Sequence, residues 1–537
     1  MQGYQGAARR AGAVPVDAGV SMQQQPSSQG SHDHAAGRTV QHYIDERPQW
    51  PDGTPVPVTP MTTMQWRIWG LAAAGKFFEG LVVFMTGVAM PLIAAEFGLG
   101  AVEHGVVGAA SLAGILVGAL LLGGLADQFG RKLMFIVEMV LFIIFLVLLS
   151  LAPSYAWLVV FLFGIGLALG CDYPTAHLII SESIPTTARG RLVLGAFAFQ
   201  AVGALVGTGV GYIVLTLDPD VTAWRWMYAS AIIPGAIVLI GRFFVTESAP
   251  WLFARGRKHE AERETARLLH RKPVYPKKVV LAAAHPSDAA EAGGSGWMAL
   301  FDRKNRRATI LASVPWFLQD LSTYGIGIFT PTILAATLGH DSGNARNVAE
   351  IIQNDIAAAE GAAMIDVLLI VGIIFAVLLA DRVGRIPLQI LGFIGCAAGL
   401  LIASFSAYYD GAMGTALIFI GFMLFNFMTN LGPNAQTYLL AGEVFPTAIR
   451  GKGAGFAAAF AKIGAVLTAF GFPILLSAIG QQALLYGLVV MSLLGAAVTW
   501  WFRIETTGIS LDDVGKHGHH AHKVPTVPST PRGTVEL

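Results

Sequence analysis

The chain has 537 residues, a net charge of +1, and is 54% hydrophobic but only 13% charged, where soluble domains carry roughly a quarter charged residues. That much apolar side chain does not fit a water-soluble core, and a near-neutral balance without clustered bases argues against nucleic acid as a partner. Both cysteines, Cys171 and Cys396, lie in apolar runs, so neither a disulfide framework nor a thiolate metal site is indicated, and no metal or cofactor is expected.

Residues 1–65 are Gly-, Gln- and Ser-rich, show no apolar run after their basic residues, and read as a disordered tail without a cleaved signal. A window of about twenty residues, enough to cross a hydrocarbon layer of about 30 Å, then selects twelve helices. The first, 66–95, carries Lys76 a turn before Glu79-Gly80. The second, 105–125, ends at Asp127-Gln128-Phe129-Gly130-Arg131, and the third is 132–152. The fourth, 157–181, contains Gly170-Cys171-Asp172-Tyr173-Pro174, and the turn after it holds Glu182 and Arg189. The fifth, 191–216, bears Gln200 and the small-residue face Gly203, Gly207 and Gly211, which predicts close helix packing. The sixth is 226–246, and 247–307 is the one long connection.

The seventh helix, 308–335, has Trp316, Asp320 and Tyr324 at spacings of four and eight, on one helical stripe. The eighth and ninth, 361–380 and 387–408, flank Asp381-Arg382-Val383-Gly384-Arg385. The tenth, 413–441, is interrupted by Gly432-Pro433-Asn434, and Glu443 and Arg450 follow it. The eleventh, 451–478, carries Lys462, the twelfth is 482–503, and residues 504–537 form a polar tail with a histidine tract at 517–522 that reads as solvated.

About thirteen Lys and Arg fall in 247–307, against Arg225 and Arg346 in the loops of the opposite side. Positive loops stay in the cytoplasm, so both termini are expected there, with the chain in the inner membrane. The 127–131 segment recurs at 381–385, Glu182–Gly190 recurs at Glu443–Gly451, and Thr246-Glu247-Ser248 is echoed by Glu505-Thr506-Thr507. Nearly constant offsets predict two six-helix halves in parallel register, 66–246 and 308–503, with a ligand site between them near the bilayer midplane.

The repeated charges Asp127, Arg131, Glu182, Arg189, Asp381, Arg385, Glu443 and Arg450 read as a gate whose pairs break when the halves rock. The alternative is topology anchoring by the bases alone, which leaves the repeated acids unexplained. Glu79, Asp172, Gln200, Asp320, Asn434 and Lys462 share a depth near the midplane, where ionisable groups are costly and point to function. In isolation Gln200 and Asn434 are better explained by interhelical hydrogen bonding, and only their company favours a site; a structural bridge from Lys462 to Asp320 or Asp172 is a second alternative. Glu138, His177 and Asp366 lack partners in the pattern and are expected near interfaces.

These motifs make the chain resemble the major facilitator superfamily, within its sugar-porter and phosphate:proton symporter branch, across 66–515. The resemblance implies an all-helical membrane fold of two pseudo-symmetric bundles and a transporter, not an enzyme. It implies Asp172 as a proton-handling acid and Tyr173, Gln200, Trp316, Asp320, Tyr324 and Asn434 as substrate contacts, with Lys462 facing them. Glu79 stands where related chains carry two aspartates on the first helix, and joins Asp172 and Asp320 as a proton-coupling candidate. The expected partners are a small solute, protons and the lipid bilayer, with the chain acting as a monomer. Phosphate or a similar anion is the favoured solute; a sugar, polyol or organic acid is the alternative, and a non-transporting nutrient sensor the remote one.

Overall fold

A computed structural model describes residues 38–47, 59–121, 125–271, 279–281, 297–337, 348–409, 411–446 and 449–507. The histidine tract and Arg346 lie outside them, as do the side chains of Asp127, Tyr173 and Arg450.

Ten helices among the described residues are long and apolar enough to span a membrane. One of them, Lys452–Phe502, is two helices joined at Gly480, whose φ of 78° no helix interior accepts. Arg306–Thr337, made more polar by its buried site residues, brings the number to twelve. The spans are α1 (Thr63–Phe97), α2 (Ala101–Leu121), α3 (Arg131–Ser150), α4 (Tyr155–Ser183), α5 (Ala188–Leu217), α6 (Val221–Phe243), α7 (Arg306–Thr337), α8 (Val348–Val383), α9 (Arg385–Ser404), α10 (Ala412–Glu443), α11 (450–479) and α12 (481–502).

Local chemistry sets the helix ends. Thr62 and Gln65 form a capping box that starts α1, and Gly98, left-handed at φ 64°, stops it. Gly130 and Gly384 precede α3 and α9 with nearly identical backbones, φ 105° and 103°, so the sequence repeat is also a conformational repeat. α10 breaks at Gly432, and Pro433 opens its second segment, Pro433–Glu443. α8 begins thirteen residues before the expected 361, because Glu350, Asp355 and Glu360 kept its first turns below any apolar threshold.

Outward faces are apolar. Ile233, Ile237, Ile240 and Phe243 on α6 are all more than half exposed, a stripe that water would penalise and lipid accepts. Within the first half α1 and α5 touch backbone to backbone: a Cβ on Gly203 would lie 1.9 Å from the Phe77 carbonyl oxygen.

Two expectations about the polar segments need correction. Residues 38–47, assigned to a disordered tail, contain a helix, Val40–Asp45, capped by Thr39. Asp45 accepts hydrogen bonds from the Thr186 N–H and hydroxyl, both at 2.7 Å, which pins the segment beneath the first half. The connection 247–307 is likewise not bare loop: it forms Ala249–Ala254, Lys258–Leu268 and Trp297–Leu300.

Candidate functional site

Four ionisable side chains and a phenol meet between the halves. Lys462 on α11 places its ammonium 3.0 Å from Asp320 Oδ2 and 2.6 Å from the Tyr324 hydroxyl, both on α7. The Tyr324 hydroxyl donates to Glu79 Oε1 on α1 of the other half at 3.0 Å, and Lys462 lies 3.6 Å from the same carboxylate. Lys76 holds Glu79 Oε2 at 3.0 Å, one turn away on α1. All five are buried, with at most 3% of their surface exposed. Two ammonium groups thus face two carboxylates, and only that balance makes burial at this depth tolerable.

A narrow cavity adjoins the cluster, with Gln200 and Phe84 from the first half and Tyr324, Thr323, Asn430, Asn434 and Leu369 from the second. Gln200 Nε2 donates to the Tyr324 hydroxyl at 3.2 Å, while its Oε1 has no hydrogen-bond partner among the described residues. Asn434 donates to Asn430 at 2.6 Å, a stripe created by the i, i+4 spacing across the helix break.

Of the residues expected at the site, Glu79, Gln200, Asp320, Tyr324, Asn434 and Lys462 therefore come together. Asp172 and Trp316 do not. Asp172 packs against Gly75, where any Cβ would collide with its carboxylate, and pairs with Arg242 at 3.1 Å. Arg242 also pairs with Glu138 and lies over the Phe135 ring, so the carboxylate expected in the cavity is engaged inside the first half. Sequence spacing offered no link between Arg242 and acids 70 and 104 positions earlier. Trp316 is 3% exposed and packs edge-on against Tyr438, with ring centroids 6.0 Å apart. It supports the site from the side bearing both termini and does not wall the cavity. Asp366, given no partner by the pattern, accepts from Thr208 and Asn426.

The repeated charges form the same bracket in each half. Arg131 pairs with Glu182 at 3.4 Å, and Arg385 with Glu443 at 3.3 Å and Asp381 at 2.9 Å. Glu247 accepts from the backbone N–H groups of Arg131 and Lys132, both at 3.0 Å, and Glu505 from those of Arg385 and Ile386, both at 3.1 Å. Each glutamate so caps the helix that follows a positive-φ glycine. Ser248 bonds Glu182 as Thr506 bonds Glu443. These pairs lie within a half, not across the interface as a gate latch would, and Arg189 is partly buried. The echo after the sixth and twelfth helices marked this bracket, although sequence alone did not assign Glu247 and Glu505 their capping role.

Contacts across the interface lie elsewhere. On the face bearing the termini, Tyr438 of α10 stacks on Phe197 of α5 at 4.5 Å and meets His177 of α4 edge-on at 6.0 Å. On the opposite face α1 meets α7, where a Cβ on Gly87 would lie 2.3 Å from the Ile328 carbonyl oxygen, and α2 meets α11 at Gly105 and Phe470. The halves therefore touch on both sides of the cavity.

Residues 61–517 match the family described as "Sugar (and other) transporter". The putative metabolite transport protein YaaU of Escherichia coli strain K12 is 30% identical over 445 residues, 83% of this chain and 92% of that one. A putative inorganic phosphate transporter of Schizosaccharomyces pombe is 27% identical over 484 residues, 78% of this chain and 82% of that one. Among solved structures, the proton:xylose symporter XylE bound to 6-bromo-6-deoxy-D-glucose superposes with a TM-score of 0.68 at 21% identity, covering 84% of this chain and 99% of that one. With twelve helices in two repeated halves and a family match that runs through both, the chain is a membrane transporter of the major facilitator superfamily and belongs to its sugar-porter family.

Proposed function

We propose that the chain is a proton-coupled symporter of a small hydroxyl-bearing anion, with monobasic inorganic phosphate as the first candidate. The observation that carries this reading is the ring of Glu79, Tyr324, Lys462 and Asp320, which joins both halves through bonds that a cargo can exchange. Lys76 and Lys462 offer ammonium groups to an anion, and the unpartnered Gln200 Oε1 offers an acceptor to a hydroxyl. With Lys76 the cluster is charge-balanced as it stands, so an anion adds one uncompensated negative charge to a low-dielectric space, at a cost of several kcal/mol. A proton loaded in the same cycle offsets that charge and couples the two fluxes. Rocking about the closed seams then exposes the cavity to one side at a time.

The excess of Lys and Arg in the connection and tails supports cytoplasmic termini in an inner membrane, and a complete cavity within one chain supports a monomer. A neutral sugar or polyol is the second reading, favoured by the balanced charge of the cluster. It accords with the range of relatives, which includes a glucose transporter of Staphylococcus epidermidis as well as phosphate transporters. Proteoliposomes with an imposed inward proton gradient, offered radiolabelled phosphate and then xylose, separate the two. Phosphate accumulation abolished by a protonophore is the expected result; xylose accumulation without phosphate uptake would replace the anion by a sugar.

A further inference from the structure

Glu79, Asp320 and Asp172 each pair with a Lys or Arg within 3.1 Å. Asp366 on α8 differs. It is 3% exposed, one turn along its helix from the cavity residue Leu369, and lies on the seam between the halves. Its Oδ2 meets the Thr208 hydroxyl of α5 at 3.0 Å and its Oδ1 accepts from Asn426 Nδ2 of α10 at 3.3 Å.

No cation faces it. Burial and these two hydrogen bonds are the influences acting on it among the described residues. Of the helices packed against α8, α1 and α7 keep Glu79 and Asp320 tied to Lys462. The described charged residues of α5, α9 and α10, namely Arg189, Arg191, Arg385 and Glu443, sit at the face bearing the termini.

The Thr208 hydroxyl has one proton and two acceptors in reach, Asp366 and the Ala204 carbonyl oxygen at 3.1 Å. If that proton goes to Ala204, the contact with Asp366 needs a proton on the carboxyl. Asn426, Asn430 and Asn434 then continue as a polar stripe from Asp366 to the cavity, while Asp355 lies three turns away on the same face of α8, toward the opposite end of the seam. Asp355 is 2% exposed, and neither of its carboxylate oxygens has a hydrogen-bond partner among the described residues.

We propose that Asp366 is the proton-binding site of the cycle, reached along the Asp355 face of α8, and that its protonation closes the α5–α8 seam. A proton from the medium adds to the carboxylate and forms the O–H bond; no other bond breaks. Closing the seam over a bare carboxylate would bury an unpaired charge, whereas closing it over the acid buries a hydrogen-bonded neutral group. The inference rests on the proton-coupled reading and assigns its site.

The test needs no cargo. Spin labels at Leu217→Cys and Met413→Cys, both exposed on the opposite face and in different halves, report the seam of the full chain in nanodiscs. The wild-type distance distribution should shorten between about pH 8 and about pH 5. Asp366→Asn should hold the short distribution at both, and Asp366→Glu should restore the response. A wild-type seam indifferent to pH, or an asparagine variant that responds like the wild type, would overturn the assignment. If Asp366→Asn does not fold, Thr208→Val decides: the midpoint should move by about one pH unit, and an unmoved midpoint refutes the proposal. Gradient-driven phosphate uptake alongside a pH-blind seam would defeat this inference alone; loss of uptake alongside a responsive seam would defeat only the reading of the cargo.

Discussion

Lys462 is the residue on which the central cluster turns, since it reaches an acid of each half. Removing one partner from a buried pair leaves an uncompensated charge, so Lys462→Met should cost about 3 kcal/mol in unfolding free energy. Adding Asp320→Leu should recover much of that loss, as thermal denaturation of the single and double variants would show. Lys76→Met should cost less, because Glu79 retains Tyr324 and Lys462. Sequence placed both lysines beside acids by depth and spacing, and the Lys462–Asp320 bridge was one of its two readings. The place of Asp172 was not legible for a physical reason: its partner Arg242 arrives from α6, and helix order along the chain does not state which spans adjoin. At the surface, partial burial pushes the Glu505 carboxyl up, but hydrogen bonds from Thr507 and from the N–H groups of Ile386, Arg385 and Thr507 outweigh it and hold it below the usual carboxylate value. A depressed native value stabilises the fold above the unfolded-state value and loses that contribution as pH falls through the native one. Glu505→Gln should therefore remove part of the acid-dependent loss of stability below about pH 4.5, read from melting curves in mild acid.

Helices α3 and α9 start in the same way, at a glycine with φ near +105° whose missing side chain admits a capping glutamate. A Cβ would stand 2.6 Å from Glu247 at Gly130 and 2.8 Å from Glu505 at Gly384. Gly130→Ala and Gly384→Ala should each lose about 1–3 kcal/mol, and by similar amounts, because backbone strain and displaced cap act alike in both halves. Unequal losses measured by thermal unfolding would break the structural equivalence of the two repeats. Element positions were legible because apolar length is an unambiguous signal at this scale. Element ends were less so: the polar first turns of α8 and the uninterrupted hydrophobicity across Gly480 carry no marker in composition. The charged brackets were also legible as repeats, but their direction was not, since sequence offers no measure of whether a pair closes within a half or between halves.

Among the described residues the two halves meet through aromatic rings at Phe197 and Tyr438, the charged ring and the Thr208–Asp366 contact at the centre, and backbone contacts at Gly87 and Gly105. An arrangement of this kind fits a cycle in which the outer contacts open in turn while the central ones change partners. Tyr438→Ala should remove the stacked contact on the side bearing the termini and raise reagent accessibility of a cysteine placed at Gln200 from that side. Unchanged accessibility would place the barrier elsewhere. The central claim is that cargo exchanges for the bonds of the Glu79–Tyr324–Lys462–Asp320 ring, and Asp320→Asn tests it most directly. In proteoliposomes under an imposed proton gradient, the variant should melt within a few degrees of the wild type yet fail to accumulate radiolabelled phosphate that the wild type concentrates. Equal accumulation by the two proteins would contradict the account.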